Sequence, residues 1–297
     1  MSSYHQPVML SQCIEALNIK PNGTYVDVTY GGGGHSKEIL ARLGKQGKLY
    51  AFDQDDDALA QAIDDDRLIL IKSNFRFTQQ YLEYFNAIPV DGLLADLGVS
   101  SHQIDEKERG FAFMQEGPLD MRMDTTKGVS VSKWLTEVSV AELVHVLSAF
   151  GEIKNAKMLA NEILKSQPMQ TTQDLADACE RVAPKHKLYA YLAKVFQALR
   201  IYINDEMAAL TDFLEQLKHV IKEDGRAVVM SYHSLEDRLV KRWVQSGNIK
   251  GDVEKDLYGN VIRPFKEMNR KPIVADEAEL AQNTRARSAK LRVAIKL

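Results

Sequence analysis

Residues 24–36 read TYVDVTYGGGGHS, and this stretch decides the fold. Its first half is rich in β-branched and aromatic residues, which is typical of a short buried strand. Four glycines follow, and residues 36–43 then have helical spacing that stops at Gly44. A junction of strand, glycines and helix lets the backbone approach a ligand and presents the first N–H groups of the helix to it.

Three more short apolar strands follow, and helical segments separate them. They span residues 48–52 with Asp53 at the tip, residues 68–71, and residues 90–94 running on to Asp96. Strands that alternate with helices predict an α/β fold, a parallel sheet with helices on both faces.

The next convincing strand, residues 226–231, comes only after a turn at Asp224-Gly225 and about 128 residues beyond the fourth strand. A crossover between parallel strands needs one helix, so this separation is far too long for a loop inside a compact domain. We therefore predict one domain formed by residues 1–104 and 200–297, with a mainly helical substrate-recognition domain, residues 105–199, inserted into it.

The insertion has the periodicity of several helices. Ser139 and Glu142 have the spacing of a capping box, in which each side chain bonds to the other residue's backbone N–H. Apolar faces then follow within residues 143–150, 156–164 and 171–182. A last helix, with its apolar positions between 207 and 221, is expected to lead back into the main sheet.

Composition narrows the class of protein. The chain has 297 residues, of which 45% are hydrophobic and 27% charged, so a globular protein of about two domains is expected. No apolar run reaches the roughly 18 residues of a membrane span, and Met1–Pro7 has no secretory signal pattern. Cys13 and Cys179 are the only cysteines, which excludes a disulfide framework and favours the reducing cytoplasm.

Several classes of catalytic motif are missing from the sequence. It contains no HExxH, no CxxC pair and no Cys/His cluster at metal-ligand spacing, so we predict no metal site. It also has neither a GxSxG nucleophile elbow nor a phosphate loop ending in Gly-Lys-Ser/Thr.

Charge is unevenly distributed along the chain. The net charge is −3, yet residues 226–297 carry 15 lysines and arginines against nine acidic residues. A basic C-terminal third could neutralise the phosphates of a nucleic acid, although a mixed solvated surface explains the charge equally well. The candidate phosphate contacts are Arg263, Lys266, Arg270, Lys271, Arg285, Arg287, Lys290 and Arg292.

Acidic residues at the ends of the predicted strands are candidate ligand contacts. Asp53 lies 22 residues after Gly31, where a carboxylate grips the ribose hydroxyls of an adenosine compound; the alternative is a helix N-cap. Asp27 suits an amine-bearing ligand better than a pyrophosphate, because like charges repel. Asp96 ends the fourth strand, at the same edge of the sheet. NAD and S-adenosylmethionine are both compatible with this pattern.

Two other segments are candidate sites. His233 follows a strand end within residues 231–238, SYHSLEDR, so it is either an active-site residue or a structural hydrogen-bonding group. Residues 120–124, DMRMD, alternate methionines with charges, which also fits a partly buried extended segment.

Taken together, the motifs resemble the bacterial RsmH/MraW family. The matching stretches occur in family order along the chain: DVTYGGGGHS (27–36), DLGVSS (96–101), RGFAF (109–113), GPLDMRMD (117–124), SYHSLEDR (231–238) and NTRARS (283–288). Relatives can carry Arg where this chain has Gly32, which leaves the cofactor contacts unaffected.

The resemblance implies a fold and an activity. The fold is a class I (Rossmann-like) methyltransferase sheet with a helical domain inserted after the fourth strand. The activity is S-adenosylmethionine-dependent methylation of the exocyclic N4 of one cytidine in the decoding region of small-subunit (16S) ribosomal RNA, free or in the assembled subunit, by a cytoplasmic enzyme. The family pattern implies cofactor contacts from Gly33, Gly34, His35, Asp53, Phe75, Asp96 and Gln103.

The proton acceptor is left open by the sequence. Many amino-methyltransferases have an Asp/Asn/Ser-Pro-Pro-aromatic tetrad after the fourth strand, whereas this chain has DLGV at residues 96–99. An acceptor that bonds one amine hydrogen of cytosine would make its nitrogen a better nucleophile and could take the proton. Asp96 and His233 are the candidates, with Asp120 and Asp124 as less favoured ones.

Three competing functions remain at this level. A nicotinamide-dependent dehydrogenase uses the same sheet and the same aspartate, but Asp27 and the serine at position 36 argue against it. A non-enzymatic RNA-binding or assembly factor needs the basic third without the crevice. A methyltransferase that acts on DNA or on another RNA cytidine keeps the chemistry and changes the substrate.

Overall fold

The computed structural model describes residues 7–297. Residues 1–6, which form most of the segment judged to lack a secretory signal, lie outside the described residues. The chain divides into two compact units. The sheet unit comprises Met1–Gly98 and Met207–Leu297, and the helical unit comprises Val99–Glu206.

The boundaries differ from the expected ones, 104/105 and 199/200, by six or seven residues. Val99 already packs on the core of the helical unit. At the other boundary, Tyr202 and Ile203 still belong to that core, and Arg200 forms an ion pair with Glu206 at 2.7 Å. Packing and charge pairing therefore assign both short segments to the helical unit.

Within residues 7–297, seven strands form one sheet, and their bounds are β1 (Thr24–Asp27), β2 (Lys48–Asp53), β3 (Leu68–Lys72), β4 (Val90–Asp96), β5 (Ile221–Ser231), β6 (Phe265–Glu267) and β7 (Lys290–Lys296). The helices are α1 (Leu10–Leu17), α2 (Gly34–Arg42), α3 (Asp56–Leu59), α4 (Thr78–Tyr84), α5 (Ser101–Asp105), α6 (Val131–Glu137), α7 (Val140–Gly151), α8 (Ala156–Lys165), α9 (Thr172–Val182), α10 (Leu188–Ile203), α11 (Glu206–Val220), α12 (Ser234–Ser246) and α13 (Glu277–Gln282). Short 3₁₀ turns span Phe75–Phe77, Lys107–Arg109 and Thr284–Ser288.

The strand order is β3-β2-β1-β4-β5-β7-β6. The first five strands in this order are parallel, whereas β7 runs antiparallel to both β5 and β6. The predicted fold class, an α/β sheet of the class I methyltransferase type with a helical insertion, is confirmed. The antiparallel end of the sheet, β6 and β7, was not predicted.

Both faces of the sheet are covered, which explains why its strands read as continuous apolar runs. Along β4, Leu93 and Ala95 point into a core shared with α4, α11 and α12, and Leu94 points into a second core shared with α1 and α2. The order of the strands reverses between β1 and β4. In open parallel sheets ligands bind at such a switch point, beyond the carboxyl ends of the strands.

The predicted turn at Asp224-Gly225 lies inside β5 and does not precede it. Ile221 pairs with Val90, but Arg226 already pairs with Gly92, so β5 bulges between these two positions. Asp224 takes the left-handed conformation, with φ of 60°. The expected helix therefore ends at Val220, one residue earlier than its apolar pattern suggested.

The helical unit has its own core. The predicted helices at 143–150, 156–164 and 171–182 are present as α7, α8 and α9, and α10 packs against α7 and α9. Ser139 caps α7 by accepting from the Glu142 N–H, at 3.2 Å. The capping box is only half formed, because the Glu142 carboxylate accepts a hydrogen bond from the Tyr202 hydroxyl instead.

None of the helices described within residues 7–297 combines the length and the apolar character that crossing a membrane requires.

Candidate cofactor site

The turn between β1 and α2 has a backbone that only glycine accommodates easily. Gly31 and Gly33 have φ of 52° and 73°. A Cβ on Gly33 would lie 2.7 Å from the Tyr30 hydroxyl oxygen, and one on Gly34 would lie 2.2 Å from Cγ of Pro7. Around Gly32, by contrast, no atom of residues 7–297 lies within 4 Å of an added Cβ. Close packing thus constrains Gly33 and Gly34, whereas the described residues leave space at Gly32.

Asp27, at the end of β1, is fully buried. Its carboxylate accepts hydrogen bonds from the Ser36 hydroxyl at 2.7 Å and from the Thr29 N–H at 3.1 Å. Burial raises the pKa of Asp27, and these hydrogen bonds oppose the rise. The expected contact of Asp27 with an amine-bearing ligand is not supported, because the group is enclosed and serves to hold the first turn of α2 against β1.

Asp53, at the end of β2, is only half-buried. Its Oδ2 accepts from the Gly31 N–H at 2.8 Å, and its Oδ1 accepts from the Asp55 N–H at 2.9 Å. The Gln54 N–H also bonds to this carboxylate, so three of its roughly four acceptor positions are used and one remains for a ribose hydroxyl. Burial raises the pKa of Asp53 to about 6. The alternative role of Asp53 was that of a helix N-cap. The N-cap of α3 is instead Asp55, whose side chain accepts from the Asp57 N–H.

Asp96, at the end of β4, lies between a tyrosine and a histidine. The Tyr232 hydroxyl donates to Asp96 Oδ1 at 2.7 Å, and Nδ1 of His35 lies 3.8 Å from Oδ2. The Asp96 side chain keeps 23% of its surface exposed, so a ligand can reach it. Burial raises the pKa of Asp96 to about 6, although His35 and the Tyr232 hydrogen bond both lower it.

His35 is held from the opposite side. Its Nε2 lies 3.2 Å from the Val8 carbonyl oxygen, which can only accept, so Nε2 carries a proton. Its other ring nitrogen is the one near Asp96. Val8 precedes α1, whose N-cap residue Met9 donates its N–H to the Glu279 carboxylate of α13. The N-terminal segment thereby fixes the orientation of the imidazole at the cofactor turn.

The other expected cofactor contacts lie in different places. Phe75 follows β3 and is half-buried, with its ring 5.4 Å from the ring of Phe213 in an edge-on arrangement. Gln103 lies in the helical unit, where it forms a full capping box with Ser100 at the start of α5. Its side-chain oxygen accepts from the Ser100 N–H at 3.0 Å.

His233 has the geometry of a helix cap. It is the N-cap of α12, and its Nδ1 accepts from the Glu236 N–H at 3.4 Å. Its Nε2 lies 3.2 Å from Glu236 Oε1, although not in line for a hydrogen bond. Both ring nitrogens therefore face groups of Glu236, which favours the structural interpretation of this residue. The neighbouring residue, Tyr232, is the one that reaches Asp96, and no sequence pattern pointed to it.

The DMRMD segment forms a closed loop in the helical unit. Asp120 pairs with Arg122 through both carboxylate oxygens, and Asp124 accepts from Thr126. These partners lower the pKa of both aspartates. Met121 and Met123 are buried, which fits the alternative interpretation of this stretch as a partly buried segment. Both carboxylates are thus engaged within the loop itself.

The structure fits an adenosine-containing ligand at the carboxyl ends of β1, β2 and β4. Asp53 retains acceptor capacity where a ribose would lie, and the glycines of the turn add no side chains of their own at the start of α2. Gly33, the N-cap of that helix, has no side chain to satisfy its first N–H groups, so a carboxylate is favoured there.

Comparison with known proteins identifies a family that matches almost the whole chain. The model of the MraW methylase family matches residues 2–297. The ribosomal RNA small subunit methyltransferase H of Cytophaga hutchinsonii is 50% identical over 296 residues, which cover 98% of this chain and 99% of that protein. The protein of the same name from Flavobacterium johnsoniae is 48% identical over 297 residues, which cover 99% of this chain and 98% of that protein. Among solved structures, an rRNA methylase from Streptococcus thermophilus is similar at 13% identity and a TM-score of 0.43. The match covers 100% of this chain and 99% of the Streptococcus thermophilus chain.

Gly33→Ala and Gly32→Ala form a matched pair for the cofactor turn. At position 33 a Cβ meets the Tyr30 side chain and a left-handed backbone costs about 1–2 kcal/mol, whereas at position 32 neither applies. We expect Gly33→Ala to weaken S-adenosylmethionine binding about tenfold or more, as measured by calorimetry, because the turn must shift. Gly32→Ala should bind as the wild type does. Equal affinities of the two variants would contradict this role of the turn.

Cofactor affinity should fall in acid. Asp53 and Asp96 both have a pKa of about 6, so both are carboxylates above pH 7. As the pH falls through 6, both side chains become neutral. They then bind hydroxyl donors and positive charge less strongly. We expect S-adenosylmethionine affinity to be flat from pH 7 to 8 and to drop about tenfold per carboxyl by pH 5.

Tyr232→Phe should move this pH profile. The Tyr232 hydrogen bond stabilises ionised Asp96, whose carboxylate also faces His35, Asp27 and Glu236. Without that bond the pKa of Asp96 rises, so affinity should begin to fall at a higher pH. Tyr50→Phe, at a buried tyrosine that packs on Phe85, is the control. A profile that moves equally in both variants would remove Tyr232 from the site.

Proposed function

Because the chain belongs to the MraW methylase family, we propose that it methylates the exocyclic N4 of one cytidine in the decoding region of 16S ribosomal RNA. The methyl donor is S-adenosylmethionine. The observation that carries the proposal is the full-length match to relatives, at 48–50% identity, that are named ribosomal RNA small subunit methyltransferase H. Family membership also removes the dehydrogenase and the non-enzymatic assembly factor as alternatives.

The residues of the sheet unit are suited to hold the donor. Bound S-adenosylmethionine supplies an electrophilic methyl group on a sulfonium centre. Asp53 would accept a ribose hydroxyl, and Phe75 would pack on the adenine. Gly33, Gly34 and His35, at the start of α2, would receive the carboxylate of the methionine part. Gln103 of the helical unit is retained as a proposed contact from the family pattern.

Asp96 is the proposed proton acceptor. The cytosine amine is a poor nucleophile because its lone pair is delocalised into the ring, and a carboxylate that accepts one of its hydrogens concentrates electron density on nitrogen. The pKa of Asp96, about 6, keeps it ionised at neutral pH yet close enough to accept a proton. His233 is the weaker candidate, since both of its ring nitrogens face Glu236.

Two of the basic residues expected to contact RNA phosphates already bind an acidic side chain of the protein. Lys290 and Arg292 both bind Asp237, at 3.0 and 2.7 Å, and the Arg292 side chain is only 9% exposed. These two cations are occupied within the protein. Four of the basic residues remain exposed and available to phosphates, namely Lys266, Arg270, Lys271 and Arg287.

The substrate is the small ribosomal subunit or its RNA, so we place the enzyme in the cytoplasm with the ribosomes. Cys13 and Cys179 are both buried free thiols, which suits a reducing compartment.

The product tests the proposed function directly. Small subunits from cells that lack this activity are incubated with the protein and isotopically labelled S-adenosylmethionine, and the nucleosides are resolved by chromatography and mass spectrometry. We expect label in N4-methylcytidine at a single position. Label in C5-methylcytidine, or in DNA and not in the subunit, would contradict the proposal while leaving the methyl donor in place.

Asp96→Asn and His233→Asn separate the two proposed bases. Asparagine keeps the shape at position 96 but is a far weaker base, and at position 233 it can still cap α12. In single-turnover reactions at saturating cofactor we expect Asp96→Asn to slow methyl transfer about 10²- to 10⁴-fold. His233→Asn should stay near the wild-type rate. The reverse order would assign the base to His233.

A further inference from the structure

One surface of the helical unit combines an exposed aromatic ring with unpaired positive charge. A turn closed by a hydrogen bond from the Lys187 N–H to the Pro184 carbonyl leads into α10. Lys185, His186, Lys187 and Tyr189 follow one another around the start of that helix, and all four side chains are exposed. We call these four residues, with Phe113, the basic–aromatic surface.

The Tyr189 ring is held in place although it is largely in solvent. Its side chain is 67% exposed, and its ring centroid lies 6.4 Å from that of Phe113 at an interplanar angle of 37°. Phe113 in turn lies 5.6 Å, edge-on, from Phe196, a buried residue of the helical core. A ring supported from one side by aromatic packing offers a π surface to a ligand without first having to be ordered.

The stretch of chain that carries this ring has charges of one sign. From Arg181 to Asn204 the chain has five lysines and arginines and no aspartate or glutamate. Arg181 and Arg200 bind Glu162 and Glu206. Within the described residues 7–297, neither Lys185 nor Lys187 has an ion-pair partner. The helical unit thus keeps free cations beside the exposed ring, whereas two basic residues of the C-terminal third are already paired.

We propose that the basic–aromatic surface binds an unpaired segment of the substrate RNA, with a base stacked on Tyr189 and neighbouring phosphates on Lys185 and Lys187. This inference rests on the proposed function and adds the part of the chain that holds the RNA. Aromatic rings beside basic side chains bind single strands, since every base has a face to stack and every nucleotide a phosphate. A base-paired helix would offer phosphates but no free base face, so the exposed ring favours an unpaired segment.

The first test measures binding of a fluorescein-labelled, unpaired RNA oligonucleotide of about 20 nucleotides to the full-length protein by anisotropy, over a series of salt concentrations. We expect Tyr189→Ala to weaken binding about fivefold or more, because stacking on a single ring is worth that much. Tyr189→Phe should bind like the wild type. Tyr189→Leu, which keeps an apolar contact with Phe113 but removes the π face, should resemble the alanine variant.

The contribution of Lys185 and Lys187 is measured by the salt dependence of RNA binding. Each phosphate contact on a single strand contributes about 0.7 to the slope of log affinity against log salt, so Lys185→Ala/Lys187→Ala should lower its magnitude by about 1.4. Tyr84→Ala and Lys45→Ala/Lys48→Ala change equally exposed residues of the sheet unit and serve as controls. All variants should retain the wild-type melting temperature and affinity for S-adenosylmethionine.

Methyl transfer to small subunits separates failure of this surface from failure of the proposed function. We expect the surface variants to raise KM for the subunit with little change in kcat. If the wild-type enzyme methylates the subunit but the surface variants bind the oligonucleotide like the wild type, this inference is overturned and the proposed function stands. Variants that bind RNA normally but subunits poorly would assign the surface to a ribosomal protein and also overturn it. A wild type that neither binds RNA nor transfers methyl groups would overturn both proposals.

Discussion

The buried carboxylate of Asp27 is the constraint on which the cofactor site depends. It cannot reach water, so it must be satisfied by the protein, and its partners Ser36 and Thr29 lie on the two sides of the glycine turn. Hydrogen bonds to charged groups are worth about 1.5–3 kcal/mol each, and leaving such a group without them costs more. Thr29 also accepts from the Asp96 N–H at 2.7 Å, and the turn reaches β2 through Gly31 and Asp53. One turn therefore positions the ends of three neighbouring strands relative to one another.

The sequence was sufficient for the parts of the fold that local patterns determine. A strand that runs into glycines and a helix, and apolar runs that alternate with helical spacing, have few structural solutions, so the parallel strands and the insertion could be predicted. The antiparallel strands β6 and β7 could not, because pairing between β5 and β7 depends on contacts between distant parts of the chain. The strand β6 is only three residues long, too short for any periodicity. Helix α10 buries residues over much of its circumference, so it shows no clear apolar stripe.

The sequence indicated which residues lie at the edge of the sheet, but not which groups their side chains contact. Counting residues from Gly31 to Asp53 located a carboxylate with free acceptor capacity, since the geometry of a strand followed by a turn is nearly fixed. The choice between Tyr232 and His233 could not be made in this way. Which of two adjacent side chains faces a third element depends on where α12 begins, and that is set by the Glu236 carboxylate, which accepts from the Tyr232 N–H at 2.8 Å.

The insertion also has a consequence for the order in which the protein is built. Residues 99–206 form a continuous compact unit with its own hydrophobic core, so it can fold as soon as it has been synthesised. The parallel sheet cannot be completed at that stage, because β4 must wait for its neighbour β5 on the far side of the insertion. During this interval one edge of β4 has no partner strand, and unpaired strand edges promote association between chains. Early folding of the insertion replaces a long flexible segment between β4 and β5 with a compact unit, which lowers the entropy cost of closing the loop between these strands.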